Sequence, residues 1–212
     1  IMKGLILSSF YASKKSLITY LIIGIILSIV FAFFSPMMCC FMLMVMLLSP
    51  VSDNLKREKD SKWMYYVSTL PTHRHTYVKA YFAFYGLLIL LGLMIGAIIC
   101  LIVTQDIMVT LFSAFIGIGM ACTYALMFPL TFKFGPENSN VIMLTTAVVA
   151  VALFLSMWFF AVMPILIKAG SMSKIASNPL VLVTTGSYAL LGVIIFVISY
   201  FSSLSIFKKQ EL

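Results

Sequence analysis

The feature that most constrains this chain is one polar segment, residues 53–79, set between long apolar runs. The chain has 14 basic and six acidic residues, and nine of these 20 lie in that segment. The chain as a whole is 63% hydrophobic, with a mean hydropathy of +1.14, whereas soluble domains contain roughly 45–50% apolar residues. Apolar stretches of about 20 residues match the hydrocarbon core of a bilayer. We therefore expect an integral membrane protein with one concentrated polar element.

Six apolar stretches are each long enough to cross a bilayer, and no room remains for a separate soluble domain. Ser35-Pro36 divides the first apolar run, because a proline breaks the interior of a helix. We predict an all-α integral membrane fold of six transmembrane helices, forming a single domain over residues 1–212. The expected spans are residues 17–35, 36–52, 80–103, 107–130, 140–167 and 181–206.

The ends of these spans carry finer expectations. Residues 2–16 form a basic amphipathic segment that lies in the membrane interface or, alternatively, extends the first span. The fourth span is expected to end at Pro129, and the fifth is long enough to tilt or to break near Pro164. Residues 168–180 could hold a short interfacial helix. Aromatic residues at the start of the third span are expected to form a belt at the membrane surface: Tyr77, Tyr81, Phe82, Phe84 and Tyr85.

Basic residues are distributed unevenly between the two sides of this topology. Twelve of the 14 lie on the side that holds both termini, the polar segment and the 133–140 loop, whereas Lys168 and Lys174 lie on the other. Loops rich in lysine and arginine remain in the cytoplasm. We therefore expect a multi-pass protein of the cell membrane with cytoplasmic N- and C-termini.

The charge pattern also excludes several classes of function. The basic residues behind the net charge of +8 are distributed by side of the membrane rather than gathered in one binding patch. We therefore expect no nucleic acid partner. Ionisable residues inside the membrane mark proton relays and ion pathways. The core of no predicted span contains an Asp, Glu, Lys, Arg or His, which argues against a transporter coupled to protons or sodium.

Signatures of catalysis and cofactor binding are missing from the sequence as well. It has no GxxxxGKS/T phosphate loop, no GxSxG and no HExxH. We expect no catalytic site, no bound cofactor and no metal. His73 and His75 would point about 200° apart on a helix and could not chelate one ion together. The cysteines of the predicted spans are interpreted as small packing residues rather than disulfides or metal ligands: Cys39, Cys40, Cys100 and Cys122.

Small residues recur at four-residue intervals in the third and fourth spans. Such ladders let two membrane helices approach closely. We interpret them as helix-packing faces rather than as catalytic ones. They comprise Gly92 and Gly96 in the third span and Ser113, Gly117, Ala121 and Ala125 in the fourth.

The polar segment is predicted to be structured rather than a flexible linker. Residues 54–67 favour a helix, and the Glu58–Lys62 pair has the i,i+4 spacing that stabilises an exposed one. Leu70-Pro71 breaks that helix. Thr72 can cap a second helix that continues into the third span.

Two motifs give this organisation a family resemblance. The run WMYYVSTLPTHRHTYVKAY, residues 63–81, combines a leucine-proline, a hydroxyl residue, basic residues and a lysine-aromatic pair that leads into a span. The run FPLTFKFGPEN, residues 128–138, follows the fourth span. With six spans and an amphipathic N-terminus, the whole chain resembles permease subunits of type-2 ABC transporters. Within them it resembles the phenol-soluble modulin exporter permeases of staphylococci, departing from their pattern at His73 and Asn138.

The resemblance implies a working arrangement. Two permease subunits, as a homodimer or a heterodimer, would enclose a substrate path within the lipid bilayer. Separate cytoplasmic ABC ATPase subunits would bind ATP and Mg, so the chain itself would not be an enzyme. The helix over residues 56–67 would be the coupling helix. The exported substrate would be hydrophobic or amphipathic: a lipophilic molecule or a peptide such as a phenol-soluble modulin.

The site residues that follow from the resemblance form two groups. The ATPase-coupling residues are Lys56, Arg57, Glu58, Lys62, Trp63, Tyr66, Leu70 and Pro71. The substrate path is assigned to the methionine-rich second span, although methionine also fills gaps between helices. The residues of that path are Met38, Met42 and Met46.

Two other functions remain open. The chain could be a membrane immunity or assembly module that does not transport, in which case it would co-purify without an ATPase. It could instead be the substrate-binding membrane subunit of a vitamin uptake complex. Gly24, Ser28 and Ala32 give it the small-residue face of such subunits, but the large polar segment fits them less well.

Overall fold

Every regular element in the described part of the chain is helical. The computed structural model describes residues 2–60, 74–135, 138–169 and 172–209. Six stretches of these residues are long and apolar enough to cross a membrane, and no strand occurs among them, which confirms the predicted all-α fold. The helices are α1 (Met2–Phe34), α2 (Cys39–Asp60), α3 (Arg74–Thr104), α4 (Ile107–Tyr124), α5 (Met127–Phe134), α6 (Ser139–Met157), α7 (Met163–Ala169), α8 (Met172–Ala176) and α9 (Pro179–Lys209).

The first span is longer at its N-terminal end than the sequence indicated. Residues 2–16 form the first turns of α1, without a break before the apolar part, so the extension alternative describes this segment. With 33 residues, α1 is about 50 Å long and exceeds the roughly 30 Å hydrocarbon core. Ser13 is buried and shares a small recess with Pro50 and Asp53 of α2. The start of α1 therefore packs beside the end of α2.

The second span continues into the polar segment as one helix. A short 3-10 turn, Pro36–Met38, joins α1 to α2. The apolar part of this stretch ends at Asn54, two residues beyond the predicted end of the span, and α2 itself runs on to Asp60. Residues 53–60 contain good helix formers and no glycine or proline, so nothing ends the helix there.

The aromatic residues at the start of α3 belong to the protein interior. Tyr77, Tyr81 and Tyr85 recur every four residues and all three are buried, so the predicted surface belt is wrong. The Tyr77 and Tyr81 ring centroids are 5.0 Å apart, and Tyr85 lies 5.1 Å from the ring of Phe128 in α5. Phe82 packs edge-on against Phe196 of α9, at 5.5 Å. Each aromatic pair of this kind stabilises a fold by about 0.5–1.5 kcal/mol beyond its burial.

The fourth span is interrupted at Ala125 and Leu126, between α4 and α5. The prediction that it ends at Pro129 is wrong, because α5 carries the helix on to Phe134. Pro129 lies in the first turn of α5, where N–H groups have no acceptor within the helix, and a proline is tolerated there. Gly135 follows in a left-handed conformation, with a φ of 79°, and ends the helix.

A tyrosine from α3 satisfies the backbone at this interruption. In a regular helix the N–H of Ala125 would donate to the carbonyl of Ala121, but here it donates to Cys122 at 3.2 Å. The phenol of Tyr85 donates to the vacated Ala121 oxygen at 2.8 Å. A buried carbonyl without a partner costs about 1–3 kcal/mol, so this bond stabilises the interrupted helix.

We expect Tyr85→Phe to destabilise the protein by about 1 kcal/mol, lowering the thermal midpoint by about 2–4 °C. The substitution keeps the ring but leaves the Ala121 carbonyl unpaired. The matched control is Tyr188→Phe in α9, because among the described residues the buried Tyr188 hydroxyl has no hydrogen-bond partner. That control should be neutral or stabilising. A thermal shift assay in detergent compares the two, and equal effects would contradict the role of the Tyr85 hydroxyl.

The fifth span is irregular just before Pro164. A π-helical turn, Trp158–Val162, separates α6 from α7, and the N–H of Met163 donates to the carbonyl of Trp158 five residues earlier. Pro164 cannot donate to the carbonyl of Phe160, which accounts for an irregularity at this position. The short helix α8 follows and buries Ile175 and Ala176.

The helices are arranged around α4, the most buried of the spans. It packs against α2, α3, α6, α8 and α9, whereas α1 packs on the outer side of α2 and α3. Asp106 caps α4, with its carboxylate accepting a hydrogen bond from the Met108 N–H at 2.9 Å. The apolar outer faces of α1, α6 and α9 remain exposed, as expected of surfaces that contact lipid.

Candidate functional site

Glycines hold α2 against α3 and α4 at close range. A Cβ atom built at Gly96 would lie 2.9 Å from the Cα of Cys40, and one at Gly92 would lie 3.1 Å from the Cα of Met44. From α4, a Cβ at Gly117 would lie 3.1 Å from the sulfur of Met44. These spacings leave no room for larger side chains. The structure therefore places the glycines of both predicted packing ladders against one helix.

The other ladder residues of α4 also lie in the interior. The hydroxyl of Ser113 accepts a hydrogen bond from the Cys40 N–H at 3.2 Å, which satisfies a donor in the first turn of α2. Ala121 and Ala125 are buried in the large cluster formed with the aromatic residues of α3.

A second close approach, between α4 and α9, was missed by the sequence reasoning. A Cβ built at Gly192 would lie 2.7 Å from the carbonyl oxygen and 2.8 Å from the Cα of Gly119. A Cβ at Gly119 would in turn meet the ring of Tyr188. Gly119 falls two residues from Gly117, outside the four-residue ladder, and Gly192 has no such ladder around it. Only the presence of glycine in an apolar span could have indicated this contact.

A cavity of about 200 Å³ lies between α2, α4 and α6. Its floor is formed by α4, and its two walls are the faces of α2 and α6 that look across α4. In the described residues, α2 and α6 make no extensive contact with each other, so the groove between them is not closed by a helix. The walls and floor include Phe41, Val45, Ser49, Tyr124, Ala147 and Ala150.

The chemistry of this groove is almost wholly apolar. No charged side chain lines it among the residues that the structure describes. The hydroxyl of Ser49 donates to the carbonyl of Val45 at 3.0 Å, and Tyr124 lies on the same end of the groove as the polar end of α2. A site of this kind can hold alkyl or aromatic groups, with hydroxyls at one end only. It holds no set of side chains for acid–base or nucleophilic chemistry.

The three methionines assigned to a substrate path are all half-buried and lie on a different face. Met46 faces α1, where a Cβ built at Gly24 would lie 3.1 Å from its Cβ. Met38 packs against a second buried cluster, whose members include Cys39, Cys100 and Ile116. None of the three, Met42 included, is among the described residues that line the groove. Their role in a path stays a prediction.

The residues assigned to ATPase coupling are only partly described. Lys56, Arg57 and Glu58 lie in the last turns of α2, and the side chain of Arg57 is exposed. The remaining coupling residues lie outside the described residues: Lys62, Trp63, Tyr66, Leu70 and Pro71.

Beside this segment, α2 and α3 are joined by a buried polar contact. The side-chain amide of Asn54 donates to the hydroxyl of Tyr81 at 3.3 Å, and both residues are buried. The end of α2 is therefore attached to the start of α3, just inside the point where the polar segment leaves the bundle. No cluster of metal-ligating side chains occurs in the described parts of the chain.

The fold and the groove together define a multi-pass membrane protein with a lateral apolar site and a helical polar extension. The profile of the ABC-2 family transporter proteins matches residues 4–208. The chain therefore belongs to the ABC-2 transporter family, as the resemblance at the sequence level indicated, and is a membrane component of an ABC transporter. None of the curated proteins matches the chain, and no solved structure matches it either.

Proposed function

We propose that this permease works with a cytoplasmic ABC ATPase to export hydrophobic or amphipathic molecules, and that its substrates are amphipathic helical peptides of the phenol-soluble modulin type. The observation that carries the substrate class is the uncharged groove between α2, α4 and α6. Burying apolar surface there is favourable by about 25 cal/mol per Å². A soluble, highly charged substrate would gain nothing from such walls.

The size of the groove supports a path shared between two permease subunits. A volume of about 200 Å³ accepts one or two large side chains, whereas pockets for whole small ligands occupy about 300–1,000 Å³. A second subunit facing the open side between α2 and α6 would enlarge this space. Two copies of the chain, or this chain and a homologue, would supply the two halves.

In this proposal, ATP hydrolysis by the partner ATPase acts on the permease at the polar segment. The last turns of α2 are continuous with a wall of the groove, so force applied near Arg57 reaches Ser49 through a single helix. The proposed orientation places both termini and this segment in the cytoplasm, with the ATPase seated on residues 56–67. Leu70-Pro71 would pass the motion to α3.

Transport is tested with inside-out vesicles that contain the permease and the ABC ATPase that co-purifies with it. We expect ATP-dependent uptake of a dye-labelled amphipathic helical peptide. A scrambled peptide of the same composition, which has no apolar face, should accumulate far less. Uptake of neither peptide would reject the peptide substrate, and uptake only in right-side-out vesicles would reverse the direction. Recovery of the permease without any ATPase would favour the immunity or assembly module.

Coupling is tested by the double substitution Glu58→Ala with Trp63→Ala. We expect normal membrane insertion, but the peptide should no longer stimulate ATP hydrolysis, because the docking surface loses its largest side chain and a charge. The matched control is Lys174→Ala in α8, on the side of the bundle with few basic residues. Peptide-stimulated ATPase activity at the parent level in the double variant would contradict the coupling role.

A further inference from the structure

Two thiols from different helices meet at the end of the bundle where α1 turns into α2. Cys39 begins α2 and Cys100 lies in the last turns of α3, and both side chains are completely buried. Each thiol reaches a backbone carbonyl that lies beside the other cysteine. Both belong to the same core cluster, and both are free thiols.

Reciprocal contacts fix the position of this pair. The thiol of Cys39 reaches the carbonyl of Gly96 at 3.6 Å, one turn before Cys100. The thiol of Cys100 reaches the carbonyl of Pro36 at 3.8 Å, and that same oxygen accepts the Cys39 N–H. The close approach of Gly96 to α2 brings the two helices near enough for both contacts. The Ser28 hydroxyl of α1 lies 3.0 Å from the Cys39 sulfur. Both thiols therefore lie at one rigid contact between the start of α2 and the end of α3.

The other two cysteines are placed differently. Cys40 turns toward α4, where a Cβ at Gly117 would lie 3.3 Å from its Cβ and where its N–H donates to Ser113. Cys122 lies in the other core cluster, with the aromatic residues of α3. Cys39 and Cys100 therefore share one position in the bundle, whereas Cys40 and Cys122 each lie elsewhere.

We propose that Cys39 and Cys100 are a modification site, a dithiol that a hydroperoxide converts reversibly into a disulfide. The two S–H bonds and the O–O bond of hydrogen peroxide break, one S–S bond forms, and each peroxide oxygen leaves as water with one thiol proton and one proton from the peroxide. The sulfurs lose two electrons and the peroxide oxygens gain them. Hydrogen peroxide is small and uncharged and can enter the apolar end of the bundle.

The bond would fasten the α1–α2 turn to the end of α3. At their other ends, α2 and α3 are already tied by the Asn54–Tyr81 contact. Oxidation would therefore fix both ends of this helix pair. Closing the chain between Cys39 and Cys100 restricts the unfolded state, so the thermal midpoint should rise by about 5–10 °C.

The experiment treats the folded protein in lipid nanodiscs with excess hydrogen peroxide, denatures it, and alkylates the remaining thiols with N-ethylmaleimide. Of the four cysteines, all should be alkylated without peroxide and two after it. Peptide mapping by mass spectrometry should identify one crosslink, between Cys39 and Cys100. A phosphine reductant should restore full alkylation and reverse the thermal shift. Cys40→Ser and Cys122→Ser should form the same crosslink, whereas Cys39→Ser and Cys100→Ser should form none.

Several results would overturn the proposal. These are four alkylated cysteines after peroxide, oxygen adducts on separate thiols in place of a crosslink, or a crosslink that includes Cys40 or Cys122. The mapping uses the unsubstituted protein, so it does not depend on the folding of any variant. A sample unfolded before peroxide is added provides the last comparison. Formation of the same crosslink there at the same rate would show that the folded geometry plays no part.

Discussion

Gly192→Ala is expected to lower the thermal midpoint by about 5–10 °C, corresponding to roughly 2–3 kcal/mol. The new methyl group would lie 2.7 Å from the carbonyl oxygen of Gly119 and 2.8 Å from its Cα. Both atoms belong to the backbone of α4, so no side chain can rotate away and the two helices must separate. Because α4 packs against most of the bundle, that separation disturbs many contacts. Thermal unfolding in detergent, followed by the loss of monodisperse protein on size-exclusion chromatography, measures the shift.

Gly86→Ala in α3 is the matched control for this substitution. A Cβ built at Gly86 meets nothing within 4 Å, so the added methyl group clashes with nothing. Alanine also favours a helix over glycine by about 0.5–1 kcal/mol. We expect a midpoint equal to or slightly above that of the parent protein. An unchanged midpoint in Gly192→Ala would show that the α4–α9 contact is looser than the structure indicates.

Ala147→Trp is expected to reduce ATP-dependent peptide uptake roughly tenfold or more, the loss that corresponds to about 1.4 kcal/mol of substrate binding. Ala147 lies on the α6 wall of the groove. An indole there would occupy most of a cavity of about 200 Å³. Basal ATP hydrolysis should persist, because the substitution lies far from the polar segment. Initial uptake rates in inside-out vesicles, normalised to permease content, provide the measurement.

The neighbouring residue Val148 supplies the control for bulk and hydrophobicity. Its side chain is 60% exposed on the outer face of α6, away from the groove. Val148→Trp adds the same indole to a surface that contacts lipid and should leave uptake near the parent level. Equal losses in the two variants would indicate a general effect on α6. Full uptake by Ala147→Trp would remove the groove from the substrate path.

Hydropathy predicted the spans well because it sums over about 20 residues and depends little on neighbouring helices. Hydropathy could not predict which face of a given helix meets lipid and which packs against another helix. Tyr77, Tyr81 and Tyr85 resemble a surface belt because they stand at the end of a span, yet all three are buried. Phe128 of α5 packs against Tyr81 and Tyr85, and Phe196 of α9 packs against Tyr85. Whether an aromatic residue meets lipid or another helix depends on tertiary packing, which a single sequence does not contain.

The groove illustrates the same limit more sharply. Its existence depends on two helices, α2 and α6, that flank α4 without extensive contact in the described structure. Phe41 and Val45 on one wall resemble any other apolar residues of a span. The methionine-rich second span indicated Met38 and Met46 as path residues, but both pack toward other parts of the bundle. Composition identified the helix, but the orientation of its faces required the packed structure.

The unbroken length of α2 has a mechanical consequence. Its 22 residues form one helix about 33 Å long that continues through Pro50 in its interior. The tight contacts of Cys40 and Met44 with Gly96 and Gly92 lie near one end, and they can serve as a fulcrum. A tilt of about 5° around that end displaces the opposite end by about 3 Å. Of the groove wall, Phe41 and Val45 lie beside the fulcrum, whereas Ser49 lies between the fulcrum and the far end. Ser49 would therefore move through a smaller distance than the far end, with greater force, as the load does on a lever.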